Sequence, residues 1–443
     1  MKHLSTFILC FLTAGLWGQV PGKPIFCGNE VFSDILREHY PELQETLNTT
    51  FEHARQASYR SNDPLTIPVV VHVVWNNSSE NLHDSIILNQ IQVLNEDYNR
   101  LNADSTGLRS IFQNEAGRGN IHFQLVEIIR VHTDQLFNVD LLGTNLLGEV
   151  KHSEDGGSDA WDTESYLNIW ITKIQPIELF GIPIGQILGF AFPPNGLSNW
   201  PAGVSAPTAD EDGVVLDYRI IGRNNPNEIE IPNGTTDLLT VKGRSATHEV
   251  GHYLGLRHIW GDGGLLGPND CLQSDGIDDT PFASAQSAFD CDKLKNSCSQ
   301  VESHYNQNMP DLIENFMDYA ADDCMNMFTH GQVELMRNVL LGPRNGLLSQ
   351  VAATREVSLI PDFTLSPNPA SDVVRLDFEI TEQTEITIRI SDIGGHLTLA
   401  HIKQQYFPGS HQISINVSGF TPGMYFIELR TKVSVAVKKL VRT

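Results

Sequence analysis

Basic residues are scarce in this sequence. Its 443 residues include 29 Lys and Arg against 54 Asp and Glu, which gives a formal net charge of -25. A field of this sign repels phosphate backbones and anionic lipid, so the composition disfavours nucleic-acid binding. The charge suits cationic substrates or calcium instead. Hydrophobic residues make up 40% and charged residues 19%, as expected for a globular protein of two or three domains.

Long apolar runs are also lacking, apart from one at the N-terminus. The run LSTFILCFLTAGLWG follows a short basic start and is itself short for a membrane-spanning helix. Such a run is typical of an export signal, so residues 1–18 are predicted to be a signal peptide. The alternative is a buried N-terminal helix. No transmembrane segment is predicted, and we expect the protein to be exported.

Cysteines are few, six in all, and Cys10 would leave with the signal peptide. The remaining set is one isolated cysteine and four that are close in sequence: Cys27, Cys271, Cys291, Cys298 and Cys324. In an oxidising compartment the group of four can form two disulfides, with three pairings open. An odd thiol such as Cys27 then needs a role of its own.

The order of strand and helix patterns predicts two folded domains. In residues 61–350, TIPVVVHVVW is a β-branched run typical of a buried strand, and SIILNQIQVLNEDYNRLN repeats apolar residues at helical spacing. Further strand-like runs follow, namely IHFQLVEII, YLNIWITKI and GVVLDYRII. This order predicts an α/β (α+β) domain with a mixed sheet. In residues 363–443, short alternating strands separated by turn signals predict a small all-β sandwich.

Histidines are uncommon, 16 in all, yet three are regularly spaced in THEVGHYLGLRHIWGD. Residues four apart lie on one face of a helix, so His248 and His252 can present two imidazoles to one metal ion. Gly255 permits a sharp turn that would bring His258 round as a third ligand. Three nitrogen ligands leave one position open, as in catalytic zinc sites. Glu249 can then act on the zinc-bound water as general base in peptide-bond hydrolysis. The alternative is a chance spacing of ordinary histidines.

A methionine follows this motif in ENFMDYAADDCMNMFTHGQ. In metzincin proteases a methionine after the third histidine lies in a tight turn beneath the metal. We therefore expect Met317 to form such a turn. The alternative is an ordinary core methionine.

Three motifs together resemble the pappalysin family of metzincin zinc peptidases: GRSATHEVGHYLGLRHIWGD, CLQSDGIDDTP and NFMDYAADDCMNMFTHGQ. The resemblance implies a metzincin-like zinc protease domain with an active-site helix, zinc on the three histidines and Glu249 as base. It implies that Tyr319 stabilises the oxyanion, a role that suits a phenol donor; the alternative is a core tyrosine. Asp322 matches the acid that gives related enzymes a preference for arginine just after the scissile bond. For Asp322 the alternative is a solvated loop acid.

The same resemblance implies structural links and a second metal in the lower part of the domain. The implied disulfides are Cys271–Cys298 and Cys291–Cys324. The segment CLQSDGIDDTP resembles the calcium loop of the family, with oxygen ligands from Asp275, Asp278 and Thr280. The alternative is an acidic loop that water solvates.

The resemblance also gives Cys27 a role. Pappalysin-like precursors carry a pro-segment cysteine followed by glycine, and its thiolate occupies the open zinc position; Cys27 and Gly28 match that pair. The implied pro-segment is residues 19–60, and a cut beside Arg60 would release activity. The alternative is an unpaired or intermolecular cysteine.

The C-terminal domain resembles the sorting domain of the type IX secretion system, through LSPNPASDVVRLDFE, SDIGG, GFTPGMYFIELR and VKKLVR. This implies passage through the periplasm and across an outer membrane, with that machinery as a partner. We therefore expect a secreted or cell-surface zinc endopeptidase that acts on proteins or peptides. The alternative is a noncatalytic adhesin on a metzincin scaffold, which would have no need of Glu249 as a base.

Overall fold

The computed structural model describes most of the chain from residue 63 onward. The described residues are 27–28, 63–139, 147–179, 182–194, 206, 208–230, 237–261, 271–272, 274–348, 363–380, 383–392, 397–430 and 435–443. The predicted signal peptide and, apart from Cys27 and Gly28, the predicted pro-segment lie outside them.

A mixed five-stranded sheet forms the upper part of the first domain. Its strands and a neighbouring two-stranded hairpin are β1 (Leu65–Trp75), β2 (Ile121–His132), β3 (Leu167–Thr172), β4 (Ile177–Leu179), β5 (Ile182–Gly185), β6 (Gly189–Ala191) and β7 (Val214–Asp217). The strand order is β2-β1-β3-β7-β6, and β4 pairs with β5. The pairs β1–β2, β1–β3 and β3–β7 are parallel, whereas β6–β7 is antiparallel. The predicted mixed sheet is confirmed.

Three α-helices accompany this sheet: α1 (Asp84–Asp97), α2 (Arg244–Tyr253) and α3 (His330–Leu341). Short 3-10 turns lie at Ser105–Gly107, Ser110–Phe112, Gly148–Lys151, Ser153–Asp155, Ala209–Glu211 and Tyr218–Ile220. α1 buries Ile87, Ile91 and Leu94, which share one helical face and join the core beneath the sheet. A reciprocal capping box of Thr329 and Gln332 begins α3.

The connections between α2 and α3 form a lower part built mainly from turns and two disulfides. Cys271 pairs with Cys298 and Cys291 with Cys324, at Cα–Cα distances of 5.7 and 5.9 Å. This is the pairing that the family resemblance implies. Both disulfides close loops within the stretch between α2 and α3 and so restrict the conformations of this turn-rich part of the domain.

The C-terminal domain is an all-β sandwich with its own core, as predicted. Its strands are β8 (Thr364–Ser366), β9 (Val373–Ile380), β10 (Thr384–Asp392), β11 (Leu397–Tyr406), β12 (Gly409–Asn416), β13 (Gly423–Arg430) and β14 (Val435–Arg442). One sheet has the order β11-β10-β13-β14 and the other β12-β9-β8. Alternate residues such as Leu376 and Ile388 are buried between the sheets. In the described part of the chain, no helix is apolar over a length that would cross a bilayer.

Candidate metal centre

Helix α2 and the turn that ends it bring three histidines together. The Nε2 atom of His252 lies 3.0 Å from that of His248 and 3.1 Å from that of His258. Gly255 has φ +92°, and the N–H of Leu256 bonds back to the Gly251 carbonyl at 2.9 Å, so the chain turns sharply after the helix. Zinc–nitrogen bonds of 2.0–2.1 Å in a tetrahedral site separate nitrogens by about 3.3 Å. The spacing of these three nitrogens therefore fits zinc.

Second partners orient two of the imidazoles. Nδ1 of His248 lies 2.8 Å from the Phe316 carbonyl, and Nδ1 of His252 lies 2.9 Å from the Leu256 carbonyl. Because a carbonyl oxygen only accepts, Nδ1 carries the proton in both rings and Nε2 presents its lone pair to the centre. Burial, together with the neighbouring His252, holds the pKa of His248 well below its ordinary value. The His248 ring is therefore neutral, as a metal ligand must be.

Glu249 lies beside this cluster in a dry, tightly packed setting. Its side chain is 2% exposed, and burial raises its pKa to about 8, against the opposing effect of a hydrogen bond from Cys27. A Cβ on Gly189, the first residue of β6, would lie only 2.5 Å from Cγ of Glu249. The edge strand thus approaches this carboxyl group as closely as a glycine permits. Sequence reasoning missed Gly189, for which a lone glycine in a strand was the available signal.

Cys27 lies at the same centre. One ligand atom from each of Cys27, His248, His252 and His258 lies within 4.8 Å of all the others. The thiol donates to Oε2 of Glu249 at 3.5 Å, and Cys27 forms a parallel bridge with Gly189. The segment at Cys27 therefore occupies the edge of β6 and covers the carboxyl group.

The turn around Met317 packs directly beneath α2. Met317 is fully buried, and a Cβ on Gly251 would lie 2.5 Å from its sulfur atom. The side chain of Asn315 accepts from the Met317 N–H at 2.9 Å and donates to Gln332 at 2.8 Å, which ties the turn to α3. The part of α2 between His248 and His252 therefore packs against Met317, the residue that the sequence predicts to form the turn.

Tyr319 reaches the cluster from the same turn. Its hydroxyl group lies 3.1 Å from Nε2 of His258, and its side chain is 5% exposed. A phenol at this position can donate a hydrogen bond to an oxygen that develops charge near the metal.

The Asp322 side chain contacts the backbone at the start of α2. Its Oδ2 atom accepts the backbone N–H groups of Lys242 at 2.6 Å and Arg244 at 3.2 Å. The side chain is buried, which raises its pKa. The neighbouring Asp323 is exposed and lies 2.7 Å from the Lys242 ammonium group. The resemblance to the family did not indicate that Asp322 bonds to the backbone at the start of α2.

The three predicted calcium ligands differ in burial: Asp275 and Thr280 are buried, whereas Asp278 is not. Oδ1 of Asp275 accepts the Thr280 hydroxyl at 2.6 Å, and burial raises the pKa of Asp275 to about 7. Asp278 is exposed. Over the described residues, the buried oxygens without a hydrogen-bond partner include Oδ2 of Asp275, Oδ1 of Asp279 and Oε1 of Glu302. In the described parts of the chain, the residues whose potential metal-ligand atoms converge are Cys27 and the three histidines.

Comparisons with known proteins agree with this geometry. Residues 233–341 match a peptidase family described as Pregnancy-associated plasma protein-A, and residues 364–443 match a secretion system C-terminal sorting domain. An extracellular metalloprotease of Arthroderma benhamiae is 28% identical over 301 residues, which are 67% of this chain and 78% of the relative. One of Pyricularia oryzae is 28% identical over 351 residues, or 77% and 98%.

Two solved structures have the same fold over the first domain. A mutant of Tannerella forsythia promirolysin is 33% identical with a TM-score of 0.57, over 74% of this chain and 99% of that one. Mature mirolysin of the same organism, in complex with a cleaved peptide, is 35% identical with a TM-score of 0.52, over 66% and 98%.

Proposed function

Because this chain belongs to the pappalysin family of zinc metalloendopeptidases, we propose that it is made as a latent precursor and hydrolyses peptide bonds once Cys27 leaves the metal centre. It is an extracellular metalloprotease, secreted or at the cell surface, and its sorting domain marks it for type IX secretion. The observation that carries the proposal is the convergence of three imidazole Nε2 atoms beside a buried carboxyl group.

In this proposal His248, His252 and His258 hold zinc, which when bound polarises the substrate carbonyl and acidifies water. Glu249 takes a proton from the attacking water and passes it to the leaving nitrogen. Tyr319 donates a hydrogen bond to the oxyanion.

The substrate binds as an extended chain along β6. The bridge between Cys27 and Gly189 supports this placement, because a segment of backbone already pairs with that edge beside Glu249. Main-chain pairing gives affinity with little dependence on side chains, which suits a protease that acts on proteins or peptides.

Latency depends on Cys27 in the pro-segment, residues 19–60. Its sulfur atom lies among the three histidine nitrogens, so as a thiolate it takes the fourth metal position and excludes water. The same segment covers Glu249 and the edge of β6. Removal of the pro-segment therefore exposes the fourth metal position, Glu249 and the edge of β6 at the same time.

A preference for arginine after the scissile bond is the further proposal for Asp322. Both of its backbone contacts use Oδ2, which leaves Oδ1 as the oxygen for a guanidinium group. Asp322→Asn should reduce cleavage before arginine relative to other residues, and Asp323→Asn is the matched control. An unchanged cleavage profile for Asp322→Asn would remove this proposal.

We also propose that calcium binds near Asp275, Asp278 and Thr280. The buried Oδ2 of Asp275, which lacks a hydrogen-bond partner among the described residues, supports a cation there. Calcium should then raise the melting temperature of the wild type more than that of Asp275→Asn. Equal shifts in both proteins would contradict the proposal.

Metal removal tests the proposed function. The processed enzyme should lose hydrolysis of a peptide mixture on treatment with a zinc chelator and regain it with one equivalent of zinc per chain. His252→Ala should neither bind that equivalent nor recover. Hydrolysis that persists without metal would overturn the proposal, and absence of hydrolysis in every state would favour the adhesin alternative.

A further inference from the structure

The segment after α3, residues 342–348, returns to the active-site region and buries an arginine. Arg344 is 7% exposed and lies beyond residues 233–341, which match the peptidase family model. It lies more than 80 residues from the zinc motif in sequence, so no motif singles it out. Its contacts connect it to the elements that carry the site.

The guanidinium group of Arg344 contacts three separate stretches of chain. Nε donates to the carbonyl of Tyr253 at 2.8 Å, and Nη2 donates to the carbonyl of Phe192 at 3.3 Å. Nη1 and Nη2 form a bidentate pair with Asp212 at 2.5 and 3.1 Å. The group also lies 3.5 Å from the centre of the Tyr253 ring.

These three stretches border the proposed site. Tyr253 ends α2 and directly follows His252. Phe192 directly follows the edge strand β6, and Asp212 lies two residues before the start of β7. A single planar group therefore joins the end of the active-site helix to both strands of the antiparallel pair at the edge of the sheet.

A stabilising role alone does not account for this arrangement. A buried ion pair can often be replaced by apolar residues of similar volume without loss of stability. A lysine would also supply the charge, but only arginine presents its donors in a rigid plane that reaches a carboxylate and two carbonyls at once.

We infer that Arg344 is a positioning residue for hydrolysis: it holds the edge strand β6 at the correct distance from α2, and so aligns the bound substrate with Glu249. The inference rests on the proposed function. Displacement of β6 by one ångström weakens main-chain pairing with substrate and moves the scissile bond away from the base. His248 and His252 are oriented by the carbonyls of Phe316 and Leu256 and not by Arg344, so zinc binding should be retained.

The decisive variant combines Arg344→Met with Asp212→Leu, which removes both charges together and leaves neither one buried alone. We expect this protein to fold, to bind one zinc per chain and to melt within a few degrees of wild type. On a peptide long enough to lie along β6, KM should rise at least about tenfold and kcat should fall. Arg344→Lys keeps the positive charge but loses the planar pair of donors that binds Asp212. It should therefore raise KM by the same factor as the double variant, with a smaller loss of stability than that variant shows.

Arg337→Met is the matched control. Arg337 is a buried arginine of α3 that donates, at 2.8 and 2.9 Å, to the carbonyls of Gly119 and Asp63, which precede β2 and β1 on the side of the sheet opposite β6. Its loss should lower the melting temperature but leave KM unchanged. Wild-type kcat and KM in the double variant, or in Arg344→Lys, would overturn the inference. Absence of hydrolysis in the wild type would contradict the proposed function instead.

Discussion

The substitution Gly28→Ala should activate the unprocessed precursor. A Cβ on Gly28 would lie 2.9 Å from Cβ of Phe190, 3.0 Å from Cδ2 and 3.2 Å from Cγ. These atoms belong to the rigid start of an aromatic side chain on β6, so they cannot swing aside as a flexible end would. Overpacking of this kind costs about 1–3 kcal/mol, and it is relieved when the segment at Cys27 dissociates.

The magnitude follows from the equilibrium between covered and open sites. Because about 1.4 kcal/mol is a factor of ten, a cost of about 1–3 kcal/mol raises the open fraction by roughly 5- to 150-fold. The initial rate of hydrolysis of a fluorogenic peptide by the intact precursor should rise by that factor, up to the rate of the processed enzyme. Cys27→Ala should raise the precursor's rate more than Gly28→Ala does, since it removes the thiol itself.

The processed enzymes supply the control. Once the pro-segment has been removed, the Gly28→Ala protein and the wild type have the same sequence, so their kcat and KM must agree. Precursor rates that are equal for wild type, Gly28→Ala and Cys27→Ala would refute the account of latency. A lower rate in Gly28→Ala would refute the steric argument.

Three further predictions concern the scaffold. Gly251→Ala should lower the free energy of unfolding by about 1–3 kcal/mol, because its Cβ would meet the sulfur of Met317; in a double-mutant cycle Gly251→Ala with Met317→Ala should lose less than the sum, and strict additivity would contradict the contact. The pKa of buried Lys151 is lowered by burial to about 8 from 10.5, a difference of 2.5 units, so the unfolded chain binds more protons between these values and stability rises with pH there. The unfolding free energy of the wild type relative to Lys151→Met should therefore increase by up to about 3 kcal/mol from pH 8 to 10.5, and a constant difference would contradict it. Replacing Cys291 and Cys324 with serine opens a link between residues 33 apart and should cost about 3–4 kcal/mol in urea denaturation; an unchanged midpoint would show that the link adds no stability.

Much of the fold follows from local patterns in the sequence. The β-branched run at Leu65–Trp75 forms a largely buried strand, and the alternating runs after residue 363 form the sandwich. The histidine spacing predicted a shared helical face and a turn at Gly255, and the three Nε2 atoms do meet. These features depend on residues within about ten positions of one another, which is the range that periodicity reports.

The remaining features depend on contacts between distant residues. Asp322 bonds to backbone N–H groups about 80 residues earlier, and backbone partners leave no trace in residue type. Gly189 is needed because Glu249 lies against it, and Arg344 is informative only when Tyr253 and Phe192 are near. Such requirements arise from the packing of strands against helices and cannot be predicted from spacing alone.

The central claim is that Glu249 moves the proton in peptide-bond hydrolysis. Its most direct test compares the processed wild type with Glu249→Ala on one peptide mixture, with cut sites identified by mass spectrometry and bound zinc measured for both proteins. Glu80→Ala is the control, because Glu80 is equally buried and accepts the Asn76 N–H at 2.8 Å in another part of the domain. The account predicts that Glu249→Ala retains zinc and loses at least about 10²- to 10⁴-fold in rate, while Glu80→Ala cleaves at the wild-type sites. Cleavage by Glu249→Ala at the same sites and the same rate would contradict it.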